Sequence, residues 1–145
     1  RVRKYLNKNE TFCFTYGDGL SDVNIKKLIE FHKKNKKLAT VTAVPTPGRF
    51  GVLKIKNKEV IEFLEKPQRD ETLINGGFFV LNEKVIDYIK DDNSIWESDV
   101  LPVLVKEKNL ISWEHNKFWQ PMDTLREKNI LEKLWTSGNA PWKVW

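Results

Sequence analysis

The stretch "TFCFTYGDGLSDVNIKKLIEFHKKNKKLATVTAV" (residues 11–44) contains two apolar segments with a helical pattern between them. Residues 11–16 form a short apolar and aromatic run, which predicts a buried strand. Ser21 or Asp22 can cap the helix that follows, and residues 38–44 are apolar and β-branched, as in a second buried strand. This order predicts a βαβ unit, and hence a parallel sheet with a right-handed crossover.

Beyond this unit the pattern alternates between short strands and helices. Strands are predicted at residues 51–55, 60–64, 73–81, 110–114 and 117–120, and helices at 1–8 (a helix tail), 82–88, 94–106 and 123–135. Pro102 predicts a kink or boundary within residues 94–106, and Thr124 with Glu127 predicts a capping box for the last helix. The fold class is therefore α/β with a mixed sheet. Because the chain opens on a helix without a cap, we expect it to begin part-way through a larger domain.

The composition is that of a mildly basic globular protein, with 145 residues, 40% of them hydrophobic, and a net charge of +5. The sequence has no apolar run of transmembrane length and no signal-peptide pattern, and Cys13 is expected to be a buried free thiol, so we expect a cytoplasmic protein. Lysine clusters such as "HKKNKK" (residues 32–37) are compatible with a nucleic-acid surface. Interspersed asparagines and acids favour solvated helix ends, and a basic protein can equally handle phosphorylated small molecules.

Two aspartates lie at junctions between a strand and a helix. Ligands of open α/β sheets bind beyond the carboxyl ends of the strands, where Asp18 follows its strand between Gly17 and Gly19. The glycines allow a bulky anion to approach the backbone, and a carboxylate that faces phosphates needs an intervening cation, which indicates Mg²⁺; an ordinary Asp-Gly turn explains the same residues. Asp123 can be a helix cap, but since Thr124 can cap that helix, Asp123 is a candidate second ligand.

Three further motifs are candidate sugar-phosphate contacts, and each has a structural alternative. Glu65 can accept hydrogen bonds from sugar hydroxyls and Lys66 can hold a phosphate, or the two residues form a surface ion pair. The Asn-Gly-Gly segment at residues 75–77 is either a flat backbone floor for a sugar ring, with an amide as a polar handle, or a β-bulge. Gly51 opens a strand after a proline-containing loop and is either a sugar contact or part of a turn.

The remaining candidates are weaker. His32 is expected to be solvated on a lysine-rich helix face, and His115 is more easily explained as a turn residue than as a base. The tryptophans can stack on a base or a sugar, although packing in the core or at a subunit contact explains them more simply; they are Trp113, Trp119, Trp135, Trp142 and Trp145. The sequence contains no metal-binding Cys/His spacing, no P-loop and no Ser-His-Asp arrangement.

The order of these motifs resembles the sugar-phosphate nucleotidyltransferases. The segments that carry the resemblance are "FTYGDG" (14–19), "GRFGVL" (48–53), "EKP" (65–67), "INGGFFVL" (74–81), "WQPMDTLR" (119–126) and "APWK" (140–143). They look like the cytidylyltransferase branch of that family in particular, and the match spans essentially the whole chain. The resemblance implies a Rossmann-like nucleotide-diphospho-sugar transferase fold, with a mixed, mostly parallel sheet flanked by helices.

The resemblance also implies a Mg²⁺-dependent reaction in which CMP passes from CTP to glucose 1-phosphate. The products are CDP-glucose, a precursor of deoxysugars in bacterial surface polysaccharide (the lipopolysaccharide O-antigen), and pyrophosphate. By motif, Asp18 and Asp123 match the metal ligands and Lys66 matches the lysine on the sugar phosphate. The positions that match substrate contacts are Gly17, Gly19, Gly51, Glu65, Asn75 and Gly76. The nucleophile is an already anionic phosphate oxygen, so positioning and charge neutralisation suffice and no general base is needed.

The family's nucleotide-binding loop, Gly-Gly-x-Gly-Thr-Arg, is absent from this sequence. The chain therefore resembles the carboxyl-terminal part of one such domain, with residues 1–120 as the sheet core and site and residues 121–145 as the final helix and tail. We expect this part alone to be inactive, and the full-length enzyme to be a homo-oligomer without nucleic-acid or membrane partners. The alternatives are a sister uridylyl- or thymidylyltransferase, a non-catalytic sugar-phosphate-binding or assembly module, and a basic nucleic-acid binder.

Overall fold

The computed structural model describes residues 2–45, 52–64 and 73–144. Within these ranges the strands are β1 (Thr11–Phe14), β2 (Gly19–Ser21), β3 (Ala39–Pro45), β4 (Val52–Lys56), β5 (Glu59–Leu64), β6 (Leu73–Asn82), β7 (Leu110–Glu114) and β8 (Trp119–Pro121). The α-helices are α1 (Ile25–Asn35), α2 (Leu101–Lys106) and α3 (Leu125–Thr136). Two 3₁₀ helices lie at Val2–Tyr5 and Glu83–Tyr88, and a π-helical turn at Trp96–Val100 runs directly into α2.

The central sheet of the described chain has the strand order β1-β6-β3-β7. β6 runs antiparallel to both β1 and β3, whereas β3 and β7 are parallel. β1 and β3 therefore point the same way, as the strand–helix–strand pattern predicts, but β6 lies between them. The prediction of a mostly parallel sheet is wrong for the described part, because the long apolar strand β6 fills the space that the crossover leaves between β1 and β3.

Helices pack on both faces of this sheet. Strand β6 contributes to both interfaces, because its successive side chains point to opposite sides. Phe79 and Leu81 pack with residues of the π-helical turn and α2, among them Val100 and Leu104. Val80, between them in sequence, packs on the other face with Leu28 of α1 and with Val23. This three-layer arrangement confirms the α/β class.

The caps of two helices were predicted, with different outcomes. Asn24 caps α1, and its Oδ1 accepts a hydrogen bond of 2.9 Å from the backbone N–H of Lys27. The prediction of Ser21 or Asp22 as this cap is wrong, because Ser21 ends strand β2 and Asp22 accepts a hydrogen bond from the backbone N–H of Phe118. At α3 the capping box of Thr124 and Glu127 is confirmed.

Other elements largely follow the sequence pattern. The two strands predicted between residues 51 and 64 form the β4–β5 hairpin, and Pro102 lies at the start of α2, where the π-helical turn ends. Cys13 is exposed on β1, at the edge of the described sheet, so the prediction of a buried thiol is wrong. Trp135, for which packing in the core was one of the explanations offered by the sequence, is 50% exposed. Among the described residues, no helix has the length and apolar character needed to cross a bilayer.

Candidate active site

Asp18 lies in the turn that connects β1 to β2, and its side chain is exposed. β2 pairs antiparallel with β8, with Gly19 opposite Pro121. One step beyond this pairing, the backbone N–H of Met122 donates a 2.8 Å hydrogen bond to the carbonyl oxygen of Asp18. Asp123 therefore follows directly after the residue that faces Asp18, although 105 positions separate the two aspartates in the sequence (123 minus 18).

The Asp123 side chain is exposed and is not the cap of α3. Its backbone N–H and that of Thr124 both donate 3.0 Å hydrogen bonds to the carboxylate of Glu127, while Thr124 Oγ1 accepts from the backbone N–H of Glu127 at 3.2 Å. The box thus occupies Thr124 and Glu127, as the sequence predicts. In residues 2–45, 52–64 and 73–144, neither Asp18 nor Asp123 has a side-chain hydrogen bond or an ion pair.

This donor set fits Mg²⁺ bound together with a phosphorylated ligand. Two uncommitted carboxylates are hard oxygen donors, and Mg²⁺ commonly uses one or two carboxylates while phosphate oxygens and water complete its octahedron. No group of three or more acidic, cysteine or histidine side chains suited to a metal occurs in the part of the chain that the structure describes. An all-protein metal cage is therefore not formed by these residues, whereas a shared site with substrate phosphates is compatible with them.

The Asn-Gly-Gly segment forms a bulge in β6. Val41 of β3 lies opposite Phe79, but Ala43 lies opposite Asn75, so residues 76–78 face the single residue Thr42. Gly77 has a φ of +77°, a left-handed conformation that favours glycine. The β-bulge explanation is thus confirmed for the backbone.

Gly76 is required at this bulge for packing. A Cβ built on Gly76 would lie 2.8 Å from Cγ1 of Val44 and 2.9 Å from the carbonyl oxygen of Thr42. A Cβ on Gly77 would lie 2.5 Å from Cδ2 of the Tyr16 ring. The two glycines therefore let β3 and the Tyr16 ring approach the backbone of β6 at van der Waals distance.

The amide of Asn75 is held in one orientation by two hydrogen bonds. Its Nδ2 donates to the Tyr16 hydroxyl at 3.0 Å, and its Oδ1 accepts from the backbone N–H of Gly77 at 2.9 Å. The Tyr16 hydroxyl in turn donates to the carboxylate of Glu97. Burial, followed by the Glu97 bond, raises the pKa of Tyr16 to about 12, with a small further contribution from the charge of Asp18. Tyr16 is thus a neutral hydrogen-bond donor at physiological pH.

Trp119 connects the glycine turn to the bulge. Its indole Nε1 donates a 2.8 Å hydrogen bond to the carbonyl oxygen of Gly76, and a Cβ on Gly19 would lie 3.9 Å from the same nitrogen. The structure therefore brings most of the predicted site residues into one region: Gly17, Asp18, Gly19, Asn75, Gly76 and Asp123. Gly51, Glu65 and Lys66 lie outside the described residues.

The sequence motifs assign no site role to Tyr16 or Glu97. Tyr16 immediately precedes the Gly-Asp-Gly turn, and an aromatic residue with a polar tip at that position was an available signal. Trp119 was considered only as a stacking or packing residue. Glu97 is 81 residues from Tyr16 in the sequence, and nothing local to it indicates the contact.

The two histidines have structural partners. His115 is 7% exposed, and its Nε2 lies 2.9 Å from Asp22 Oδ1 and 3.2 Å from Ser21 Oγ. It joins β2 to the turn before β8, consistent with the prediction of a turn residue rather than a base. His32 is 3% exposed, with Nδ1 2.9 Å from Thr40 Oγ1, so the prediction of a solvated side chain is wrong.

Ligands of open α/β sheets bind in the crevice beyond the carboxyl ends of the strands, and Asp18 and Asp123 lie at such an edge. The family model described as "Nucleotidyl transferase" matches residues 1–126. The chain belongs to this nucleotidyltransferase family, which confirms the resemblance seen in its motifs.

Similar proteins agree with this assignment. The chain is 53% identical, over all 145 residues, to 56% of the glucose-1-phosphate cytidylyltransferase of Salmonella typhimurium. It is 33% identical over 129 residues to the mannose-1-phosphate guanyltransferase of Saccharomyces cerevisiae, covering 85% of this chain and 35% of that protein. The chain spans about half the length of the cytidylyltransferase relative.

A solved structure supports the fold. The crystal structure of a Bacillus anthracis protein, named for glucose-1-phosphate thymidylyltransferase activity, superposes with a TM-score of 0.67. The match covers 92% of this chain and 57% of that one at 23% identity, a level that supports the fold alone.

Proposed function

We propose that the protein carrying this chain transfers a cytidylyl group from CTP to glucose 1-phosphate. The observation that carries the proposal is the 53% identity, along the entire chain, to a protein named for this activity. Identity to the guanyltransferase relative is 33%, so the cytidylyltransferase is the better guide to the nucleotide and the sugar. On this proposal the product, CDP-glucose, supplies deoxysugar synthesis for a surface polysaccharide.

In the proposed reaction an oxygen of glucose 1-phosphate attacks the α-phosphorus of CTP. A new phosphorus–oxygen bond forms, and the bond to the β-phosphate breaks, so that pyrophosphate leaves with the electron pair. The attacking oxygen is already anionic, which is why no general base is required. His115, the histidine nearest to the β2–β8 pair among the described residues, is committed to Asp22 and Ser21.

Asp18 and Asp123 would hold Mg²⁺, which neutralises charge on the nucleotide phosphates when it is bound. Their support is the pairing of Asp18 with Met122 and the use of Thr124, not Asp123, as the cap. Both carboxylates are exposed and uncommitted within the described ranges, so binding a cation breaks no existing ion pair.

The sugar phosphate would lie against Gly17, Gly19 and the bulge of β6. The Asn75 amide is already oriented by Tyr16 and Gly77, so it can offer its second N–H to a sugar hydroxyl without losing rotamer freedom on binding. By the family motif, Lys66 would hold the incoming phosphate, with Glu65 and Gly51 on the sugar. Positioning and charge neutralisation are the catalytic devices of this proposal.

The test is product formation by the complete protein with Mg²⁺, glucose 1-phosphate and, separately, CTP, UTP, dTTP or GTP. We expect CDP-glucose and pyrophosphate, with kcat/KM for CTP well above that for the other nucleotides. A preference for UTP or dTTP would instead support the sister activity, and binding of glucose 1-phosphate without turnover of any nucleotide would support a non-catalytic module.

A further inference from the structure

A polar pocket lies at the end of the central sheet that is opposite to Asp18 and Asp123. It has a volume of about 310 Å³ and includes Thr11, the first residue of β1, and Asn82, the last residue of β6. The four residues of β1 alone place Thr11 about 10 Å from the end of that strand, and the Gly-Asp-Gly turn lies beyond it. The pocket is therefore separate from the candidate active site.

Four lysines and no acidic residue line this pocket. Lys33, Lys36 and Lys37 come from the end of α1 and the turn after it, and Lys84 comes from the 3₁₀ helix that follows β6. Within the described ranges, none of the four has an ion pair. The pocket thus concentrates the charge of four lysines, none of which is held in an ion pair in the part of the chain that the structure describes.

Helix capping explains only part of this cluster. Lysines in the last turn of α1 complement the negative end of the helix dipole, so their presence there is ordinary. Lys84, however, is in the first turn of its helix, where the dipole disfavours a cation. The stability of that helix therefore does not explain why Lys84 lies in the same pocket as the lysines of α1.

A buried histidine supplies an independent observation. His32 lines the pocket and is 3% exposed; its Nδ1 contacts Thr40 Oγ1, and its Nε2 has no hydrogen-bond partner among the described residues. Burial, followed by the charge of Lys33, lowers the pKa of His32. When it carries a proton, Nε2 can donate a hydrogen bond to an oxygen of an anion bound in this basic pocket.

We propose that this pocket binds a multiply charged phosphate group, either free phosphate or pyrophosphate or the phosphates of a nucleotide. The lysine ammonium groups act as point charges, and the Thr11 hydroxyl, the Asn82 amide and the His32 ring can supply hydrogen bonds. Bound there, the anion joins the end of α1 to the helix after β6, a link that is independent of the proposed transfer reaction.

The direct test is an NMR titration of the complete protein, selectively labelled at histidine, with phosphate, pyrophosphate and a nucleoside diphosphate as separate probes. The His32 resonance is assigned by its loss in His32→Asn. An anion in the pocket favours the imidazolium form, so the expected result is a rise in the pKa of His32 and tighter binding as the pH falls. Besides Thr40, which contacts the ring, the groups that share the pocket with His32 are the four lysines, Thr11 and Asn82, and the charge of Lys33 acts on His32.

A charge-matched pair of variants provides the second test, by calorimetry with the same probes. Lys33→Ala with Lys37→Ala removes two charges from the pocket, and Lys26→Ala with Lys34→Ala removes two charges from α1 outside it. We expect the first pair to weaken the affinity at the pocket about tenfold or more and the second to change it about twofold or less.

The outcomes separate the alternatives. A response of His32 to phosphate, to pyrophosphate or only to the nucleotide supports the pocket and identifies the source of the phosphate group. An unchanged His32 resonance with all three probes overturns the proposal, as does equal weakening by the two variant pairs. Duplex DNA, added as a fourth probe, would also overturn the proposal if it alone bound, with a steep salt dependence. None of these outcomes depends on whether the protein turns over CTP.

Discussion

The indole nitrogen of Trp119 donates a 2.8 Å hydrogen bond to the carbonyl oxygen of Gly76, and so ties β8 to the bulge in β6. We expect Trp119→Phe to leave that carbonyl without its partner and to lower the free energy of unfolding by about 1–3 kcal/mol. The same change should raise KM for the sugar phosphate more than it lowers kcat, because it loosens the bulge that we propose to contact the sugar. Denaturant unfolding and steady-state kinetics of the complete protein measure both effects.

Trp135→Phe is the matched control, because Trp135 is 50% exposed, lies in α3 and, among the described residues, makes no hydrogen bond to the bulge. We expect it to cost less than about 1 kcal/mol and to leave KM unchanged. Equal effects of the two substitutions on KM would show that the Trp119–Gly76 bond has no part in binding the sugar phosphate.

Gly77 and Gly138 both have a positive φ, of +77° and +74°, but only Gly77 has a close neighbour. Gly138→Ala should cost only the backbone strain of a left-handed alanine, about 1 kcal/mol. Gly77→Ala should cost at least about 1 kcal/mol more, because the new Cβ would overlap the Tyr16 ring. The comparison uses the free energies of unfolding of the two variants, and equal losses would contradict the close contact between Gly77 and Tyr16.

Thr124 and Asp123 are adjacent in sequence, but we expect substitution of Thr124 to lower stability and substitution of Asp123 to lower activity. Thr124→Ala removes the cap of α3 and should cost about 1 kcal/mol of stability. Asp123→Asn removes a charge from an exposed carboxylate that is not a cap, and should change the stability by less than about 0.5 kcal/mol while abolishing most of the activity. Thermal unfolding and activity, measured on the same preparations, check both; a large loss of stability in Asp123→Asn would assign Asp123 a structural role.

The buried His32 predicts a pH dependence of stability. Its pKa is lowered in the folded protein, so the unfolded chain takes up the proton first as the pH falls. The contribution of His32 to stability is complete above its ordinary pKa of about 6.5 and is lost as the pH falls toward the lower, folded value. Unfolding free energies between pH 7.5 and 5 should therefore fall more steeply for the wild type than for His32→Asn, and parallel curves would contradict this account.

The strands and helices could be predicted largely from hydrophobic period and caps, because those signals are local. The order of the central sheet could not, since it depends on β6 pairing with β1 and β3 across long sequence separations. The cap of α1 was misassigned for a similar reason: β2 has three residues and exists through its pairing with β8, so nothing local marks Ser21 as a strand residue.

Two errors about single side chains have different causes. His32 lies four residues after Leu28, which places both on the same face of α1, so its burial was available from helix geometry. Cys13 was assigned to the core because its neighbours are apolar, although the edge of a sheet leaves such side chains exposed. Asp18 and Asp123 could be chosen as candidate site residues from the sequence, because they lie at junctions whose motifs identify the family. The contact of Glu97 with Tyr16 could not, because no local pattern indicates it.

The central claim is that Asp18 and Asp123 together bind the metal used in nucleotidyl transfer. The measurement is Mn²⁺ binding, followed by water-proton relaxation, in the complete protein with CTP, for the wild type, Asp18→Asn, Asp123→Asn and the distant exposed control Asp87→Asn. The account predicts that each site variant weakens Mn²⁺ binding about tenfold or more and loses Mg²⁺-dependent CDP-glucose formation, with Asp87→Asn unchanged. Wild-type Mn²⁺ affinity in both site variants would contradict it.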